Sequence, residues 1–243
     1  HRVLHSSPTR RSSDLIKDLP VVFCAVTDPI AAGLVPSYSG GGKNVTGTSD
    51  MTPVTAQLDL LGQLKPVRRL GHVYNAGEAN SVKLAEMVRD YCKSKGITLV
   101  ESTVANSAEV RSAVLSIADR IDGLYLGNDN TVFSAVTAVA DVCLQKKIPL
   151  VTADPTSAET VPVLAALGFD YYQMGRATGR LVARILKGEK PGSIPTYFPT
   201  APAEKSTVLN LDVAAQLGLS PSAALQSQAT VIIRNGKVER ASK

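Results

Sequence analysis

From residue 16 onward, short β-branched runs alternate with longer stretches of helical period, and this alternation restricts the fold more tightly than anything else in the chain. Residues 21–26 (VVFCAV) form a continuous apolar run behind a proline, the pattern of a strand covered on both faces. Residues 44–49 read as a weaker strand behind the loop Ser39-Gly40-Gly41-Gly42. Residues 53–64 predict a helix, with proline in the first turn and Leu58, Leu61 and Leu64 on one face. Strands at 69–74, 97–103, 123–126 and 148–152 then alternate with helices at 80–95, 108–120 and 131–147. A βαβαβαβ run of this kind requires parallel strands with helices on both faces of the sheet. Beyond Asp154 the pattern predicts a helix at 157–166, a transition at 168–172 and a strong amphipathic helix at 175–187. A strand at 207–209, a helix at 212–217 and a strand at 230–233 follow, closed by an Asn235-Gly236 turn. The Gly/Ser/Pro-rich stretches 36–43 and 191–202 are candidate crossovers, which suggests two lobes joined more than once.

Composition narrows the class. With 44% hydrophobic and 19% charged residues the chain has the material for a packed core, and no window approaches the roughly 18 uninterrupted apolar residues of a membrane span. The net charge of +5 includes 3 − 1 = +2 from Arg2, Arg10, Arg11 and Asp14 in residues 1–15. That segment has no hydrophobic period, its composition changes at Ile16, and residues 5–15 resemble the translation of a sequencing-library adaptor. Residues 1–15 are therefore expected to be foreign to the fold. Without them the charge is 5 − 2 = +3, with no basic stripe interleaved with aromatics, and no nucleic-acid partner is expected. The first element that follows is an interior strand with no strand–helix unit before it, so the first lobe is expected to be incomplete. Cys24, Cys92 and Cys143 are far apart in apolar stretches and read as buried small hydrophobes.

Ligands of open α/β sheets sit beyond the carboxyl ends of the strands. Five such ends carry short polar side chains: Thr27-Asp28, Asp50, the run Asn75-Ala76-Gly77-Glu78-Ala79-Asn80-Ser81, the run Asn128-Asp129-Asn130-Thr131, and Asp154. Helix capping explains any one of them, since Asp, Asn, Ser and Thr are the preferred caps. Five together exceed what capping needs. Chemically the set suits a small zwitterion: a helix start such as Asn80-Ser81 accepts a carboxylate, and Asp129 or Asp28 pairs an ammonium. Enzyme motifs are missing, with no nucleophile elbow, phosphate loop or dinucleotide fingerprint. His72, the only histidine beyond residue 15, lies inside a strand and reads as packed, which leaves no material for a His-based triad or zinc site. Neither a catalytic role nor a cofactor nor a metal is expected.

The segments AVTDP (25–29), GGKNVTGTSD (41–50), VYNAGEANS (73–81), GNDNTV (127–132) and ALGFDYYQMGRATGRLVARILKGEKPGSIP (166–195) together resemble the substrate-binding proteins of ABC transporters, of the aromatic-amino-acid (tryptophan-binding) type. The resemblance runs in order from about 16 to 233. It implies the type I periplasmic binding protein fold, two Rossmann-like lobes with parallel sheets and three crossovers, with the ligand trapped by hinge closure. The implied division assigns 16–50 and 165–200 to the first lobe and 51–164 and 201–233 to the second. By the same resemblance Asp28, Asp50, Asn75, Glu78, Asn80, Ser81, Asp129, Asn130 and Asp154 line or border the cleft. Asn80 and Ser81 would hold the ligand carboxylate and Asp129 its amino group. The implied partners are an aromatic amino acid and an ABC permease in the membrane, for a monomer that is periplasmic or held outside the cell by a lipid anchor. Family members begin with further strand–helix units and an export signal that have no counterpart here. The alternative is the ligand-sensing domain of a regulator or signalling protein, which shares the two-lobe architecture.

Overall fold

The computed structural model describes residues 16, 18–40 and 43–241, so the stretch 1–15 and the glycines Gly41 and Gly42 lie outside the described residues. The described residues form two compact units, one drawn from those up to Met51 and from Tyr171–Thr200, the other from Thr52–Asp170 and from those after Thr200. The chain therefore passes between units at 51–52, 170–171 and 200–201.

In the larger unit α1 (Val54–Leu64), β3 (Arg69–Asn75), α2 (Ala79–Lys95), β4 (Thr98–Val104), α3 (Val110–Ala118) and β5 (Gly123–Leu126) follow one another. Then come α4 (Asn130–Phe133), α5 (Val136–Gln145), β6 (Leu150–Thr152), α6 (Pro155–Ala158) and β7 (Ala165–Phe169). After the excursion into the smaller unit the chain adds β8 (Lys205–Asn210), α8 (Leu211–Gln216), α9 (Ala223–Gln228), β9 (Val231–Arg234) and β10 (Lys237–Arg240). The strands build one sheet in the order β10-β9-β8-β7-β6-β5-β3-β4, parallel except where β7 meets β8 and β9 meets β10. Alternate residues feed opposite faces. Val73, Leu124, Leu126 and Leu150 join α3 and α5 in one core, while Leu70, Tyr125 and Val151 join α1 and α2 in the other. Each such side chain, fully buried, contributes about 1.5–3 kcal/mol.

The second face carries a polar seam. Tyr125 donates to Gln57 Oε1 at 2.6 Å, and Gln57 Nε2 donates to the Leu167 carbonyl at 2.6 Å and to Thr52 Oγ1. His72 stacks between Tyr74 and Tyr125, and Arg89 donates to the Tyr74 hydroxyl at 2.8 Å while pairing with Glu101. Gln57 is completely buried, so Tyr125→Phe, which strands its Oε1, is expected to cost about 1–3 kcal/mol in urea unfolding.

Several expectations are corrected here. The helix expected at 157–166 is the four-residue α6 followed by β7. Pro162 lacks an N–H and biases Val161 towards extended backbone, and pairing with β6 and β8 overrides the weak strand propensity of AALGF. Because β7 belongs to this sheet, residues 165–170 go with the larger unit, whereas the sequence division placed them in the first lobe. That unit also runs past residue 233, since β10 adds to it. The helix expected at 131–147 is broken at Ser134-Ala135, where Ser134 Oγ turns back onto the Thr131 carbonyl at 2.6 Å. Cys92 and Cys143 are buried, which pushes their thiols up to about 11 and about 12. Cys24 is exposed: it follows buried Phe23 directly at the end of β1, and successive side chains of an extended segment point to opposite faces.

The smaller unit contains β1 (Val21–Phe23) paired in parallel with β2 (Val45–Gly47), and α7 (Tyr171–Leu186), which buries Met174, Ala177 and Leu181. Both strands are half the length expected. Thr48 continues β2 in a bridge to Tyr197, and its hydroxyl meets that of Thr178 at 2.9 Å. Thr46 donates to the Ile194 carbonyl at 3.0 Å, tying the first part of the proline-rich stretch, up to Thr200, to this unit.

Candidate functional site

β3, β5 and β6 run parallel, so their carboxyl ends lie along one edge of the larger unit's sheet, and each leads within a few residues into a helix. Short polar residues are selected there because a loop that turns from strand to helix must satisfy the first N–H groups of the helix. Asp129 is such a cap. Its Oδ1 accepts the Val132 N–H at 2.8 Å, and its Oδ2 reaches back to β3 and accepts the Asn75 N–H at 2.6 Å. It is 3% exposed.

Glu78 completes the knot from the other loop. Its Oε2 accepts the Asn130 backbone N–H at 3.1 Å and Nδ2 at 2.8 Å. Oε1 accepts the Thr131 N–H at 3.0 Å and its hydroxyl at 2.7 Å. Burial pushes this carboxyl up, but hydrogen bonds from Thr131 and Asn130 outweigh it and hold the group below its ordinary value. Asn75 Nδ2 donates to Thr131 Oγ1 at 2.8 Å, and Asn80 Nδ2 donates to the Asn128 carbonyl at 2.7 Å. Ser81 is buried in the first turn of α2. Six predicted residues thus gather at one place: Asn75, Glu78, Asn80, Ser81, Asp129 and Asn130.

Asp154 stands at the neighbouring strand end and makes local contacts, capping α6 through Thr156 N–H at 2.8 Å and Ser157 N–H at 3.3 Å. Asp28 and Asp50 belong to the smaller unit. Asp28 Oδ1 accepts from the Ile30 and Ala31 N–H groups at 3.0 Å each and from the Tyr38 hydroxyl at 2.9 Å. Burial, with that bond to Asp28 second, pushes the Tyr38 phenol up to about 12. Tyr38 also meets Phe198 edge-on at 5.1 Å. Asp50 accepts from Thr27 Oγ1 at 3.0 Å and from Tyr171 at 3.1 Å. Sequence reasoning singled out none of Thr27, Tyr38 or Thr131 as site residues. Thr131 was visible as the last residue of a polar run, whereas Tyr38, ten residues from Asp28, left no signal.

The helix starts differ in one respect. Side chains of Asp129 and Asp154 cap α4 and α6, whereas among the described residues no side chain caps α2, the longest helix in the unit, nor α1, α3 or α5. Its first N–H groups and positive dipole end open at the same edge as the knot. Among the described residues no group of three or more His, Cys, Asp or Glu side chains is placed to hold a metal ion. No helix of the described residues is long and apolar enough to cross a membrane.

A family model described as ABC transporter substrate binding protein matches residues 8–233. The chain belongs to this family. The match begins inside the stretch 1–15 expected to be foreign to the fold. A tyrosine-binding protein of Clostridioides difficile (strain R20291) is 34% identical over 209 residues, covering 85% of this chain and 59% of that protein. The chain therefore spans about 59% of the length of that curated relative. The solved structure of a conserved domain protein from Vibrio cholerae superposes with TM-score 0.85 at 40% identity, over 91% of this chain and 73% of the other. An ABC domain in complex with L-Trp from Streptococcus pneumoniae gives TM-score 0.84 at 31% identity, over 91% and 74%. The mixed α/β architecture with its mostly parallel sheet is thus that of the type I periplasmic-binding-protein-like members of the substrate-binding family.

Proposed function

We propose that this chain is the solute-binding component of an ABC importer, outside the cytoplasm, and that it captures an amino acid with an aromatic side chain by closure of its two lobes. The observation that carries this reading is the uncapped start of α2 beside an acidic knot. Free N–H groups of a long helix attract a carboxylate, and an anionic knot attracts an ammonium, so one edge offers both halves of a zwitterion their partners. Asn80 and Ser81 take the carboxylate. Asp129 takes the ammonium, since each of its oxygens accepts one N–H and keeps a second lone pair. Asn75, Asn130 and Asp154 border the same edge. Asp28 and Asp50, in the smaller unit, belong to the proposed ligand set as well. Support for the ligand class comes from the names of two relatives, a tyrosine-binding protein and a domain in complex with L-Trp. The role is binding, with delivery to a membrane permease as the next step.

Calorimetric titration with L-tryptophan, L-tyrosine and L-phenylalanine tests the reading, with L-alanine as control. Saturable binding to at least one aromatic amino acid and none to alanine is expected. Asn80→Ala is expected to weaken that binding by about 10–100-fold, the loss of one charge-assisted hydrogen bond. The chain has no tryptophan, so the emission of bound L-tryptophan reports on the ligand alone. Failure of all three aromatics to saturate overturns the ligand class, and undiminished uptake of labelled ligand by cells lacking the gene overturns the importer role.

A further inference from the structure

Within the reading just given, we infer that Glu78 is a positioning residue: its carboxylate locks the β3–α2 and β5–α4 loops together before the ligand arrives, and does not touch the ligand. A carboxylate offers about four acceptor sites. Glu78 spends them on four donors from two adjacent residues, Asn130 N–H and Nδ2 and Thr131 N–H and Oγ1, all between 2.7 and 3.1 Å. Nothing remains for an ammonium, whereas Asp129 next to it uses two of its sites.

The donors also explain the chain positions. Asn130 and Thr131 open the four-residue α4, and their N–H groups have no partner inside so short a helix. Asp129 satisfies the third N–H of that turn, and a residue 52 positions away satisfies the first two. Asn75 closes the ring through Thr131 Oγ1, and Asn80 pins the Asn128 carbonyl. The residues read as ligand contacts, Asn80 and Asp129, therefore sit two residues after Glu78 and one before Asn130. Their separation is fixed by the clamp.

The groups facing Glu78 are neutral donors from the 128–132 segment. Asn75 and Asn80 flank it on its own loop, and the one other charge in the knot, the Asp129 carboxylate, points at Val132 and Asn75. The carboxylate is thus held ionised by hydrogen bonds from Thr131 and Asn130 against the burial that opposes it. It clamps throughout the neutral range and lets go only in acid. Without it the two loops would be ordered by the ligand itself, at a cost in affinity.

The test compares the wild-type chain with Glu78→Gln and Glu78→Ala. In the ligand-free proteins, amide exchange at Asn130 and Thr131 is expected to speed up at least tenfold in both variants, while exchange at Leu84–Val88 in α2 stays unchanged and shows the fold intact. The dissociation constant for L-tryptophan is expected to rise about tenfold. The same ratio is expected for its des-amino analogue, 3-indolepropionate, because the clamp acts on the site and not on the ammonium. A ratio near one for the analogue but about ten for tryptophan makes Glu78 an ammonium contact and overturns the inference. So does weaker binding without faster exchange, or faster exchange with unchanged affinity. If the wild-type chain binds none of the aromatic amino acids, the proposed function fails first and this inference with it, a result recognisable from the wild type alone.

Discussion

Gly168→Ala is expected to lower the thermal midpoint by roughly 6–12 °C, from about 3 kcal/mol of overpacking at about 2–4 °C per kcal/mol in a domain of this size. A Cβ at this position in β7 would stand 2.2 Å from the Ala153 carbonyl oxygen and 2.7 Å from Pro155 Cδ. One obstacle is backbone and the other a proline ring, so neither turns aside as a flexible side chain would. Relief requires β7 to back away from residues 153–155, the turn that carries the Asp154 cap. Thermal unfolding followed by circular dichroism reads the effect, and a midpoint within 2 °C of wild type would show that the turn yields. Glycine in the middle of a strand is otherwise unfavourable, which makes the close approach the reason it is there.

As pH falls from 6.5 to 5, before the lowered carboxylates take up protons, the larger unit is expected to weaken through His72. The ring is fully buried, its Nδ1–H donates to the Tyr125 carbonyl at 3.0 Å, and Nε2 has no partner among the described residues. Desolvation holds its pKa below the ordinary 6.5, against a smaller opposing contribution from the Tyr125 bond. The folded protein therefore keeps His72 neutral where the unfolded chain takes up a proton. Stability is complete above pH 6.5 and is lost as pH falls from 6.5 towards the depressed folded value, at up to about 1.4 kcal/mol per pH unit from this group. Below the folded value the loss levels off. Urea unfolding of His72→Gln, whose amide can still donate to the carbonyl, is expected to lack this component of the slope between pH 6.5 and 5. Parallel pH profiles for the two proteins would refute the assignment.

The parts of this molecule that were legible in the sequence were those where local pattern and tertiary context agree. The apolar runs at 123–126 and 148–152 and the helices expected at 80–95 and 108–120 carry their own period, and they appear within a few residues of where the period puts them. β7 did not, because AALGF has little strand propensity and becomes a strand only when β6 and β8 flank it. β10 did not either, since all four of its residues are exposed and show no apolar alternation. At the candidate site, the polar residues beyond β3 and β5 were visible one by one. What the chain could not display was their mutual use: capping explains Asp154 by itself, but at Asp129 and Glu78 the caps reach across 52 to 54 residues of sequence. A cap and a cross-loop brace require the same residue types, and only the fold distinguishes them.

The last hairpin has a consequence for the molecule in a crowded solution. β10 turns back from β9 through Asn235 and Gly236, both in the left-handed region (φ 53° and 69°), the geometry of a tight two-residue hairpin. It forms one rim of the eight-stranded sheet, where unpaired N–H and C=O groups could template the strand of another molecule. The rim is only four residues long and displays Lys237, Glu239 and Arg240, with Arg240 held by Glu159 at 2.6 Å. An incoming strand would have to lay its side chains beside charges of both signs along a short edge. Among the described residues β10 is the outermost strand on that side, and addition of a second chain there is discouraged by its short length and its charges.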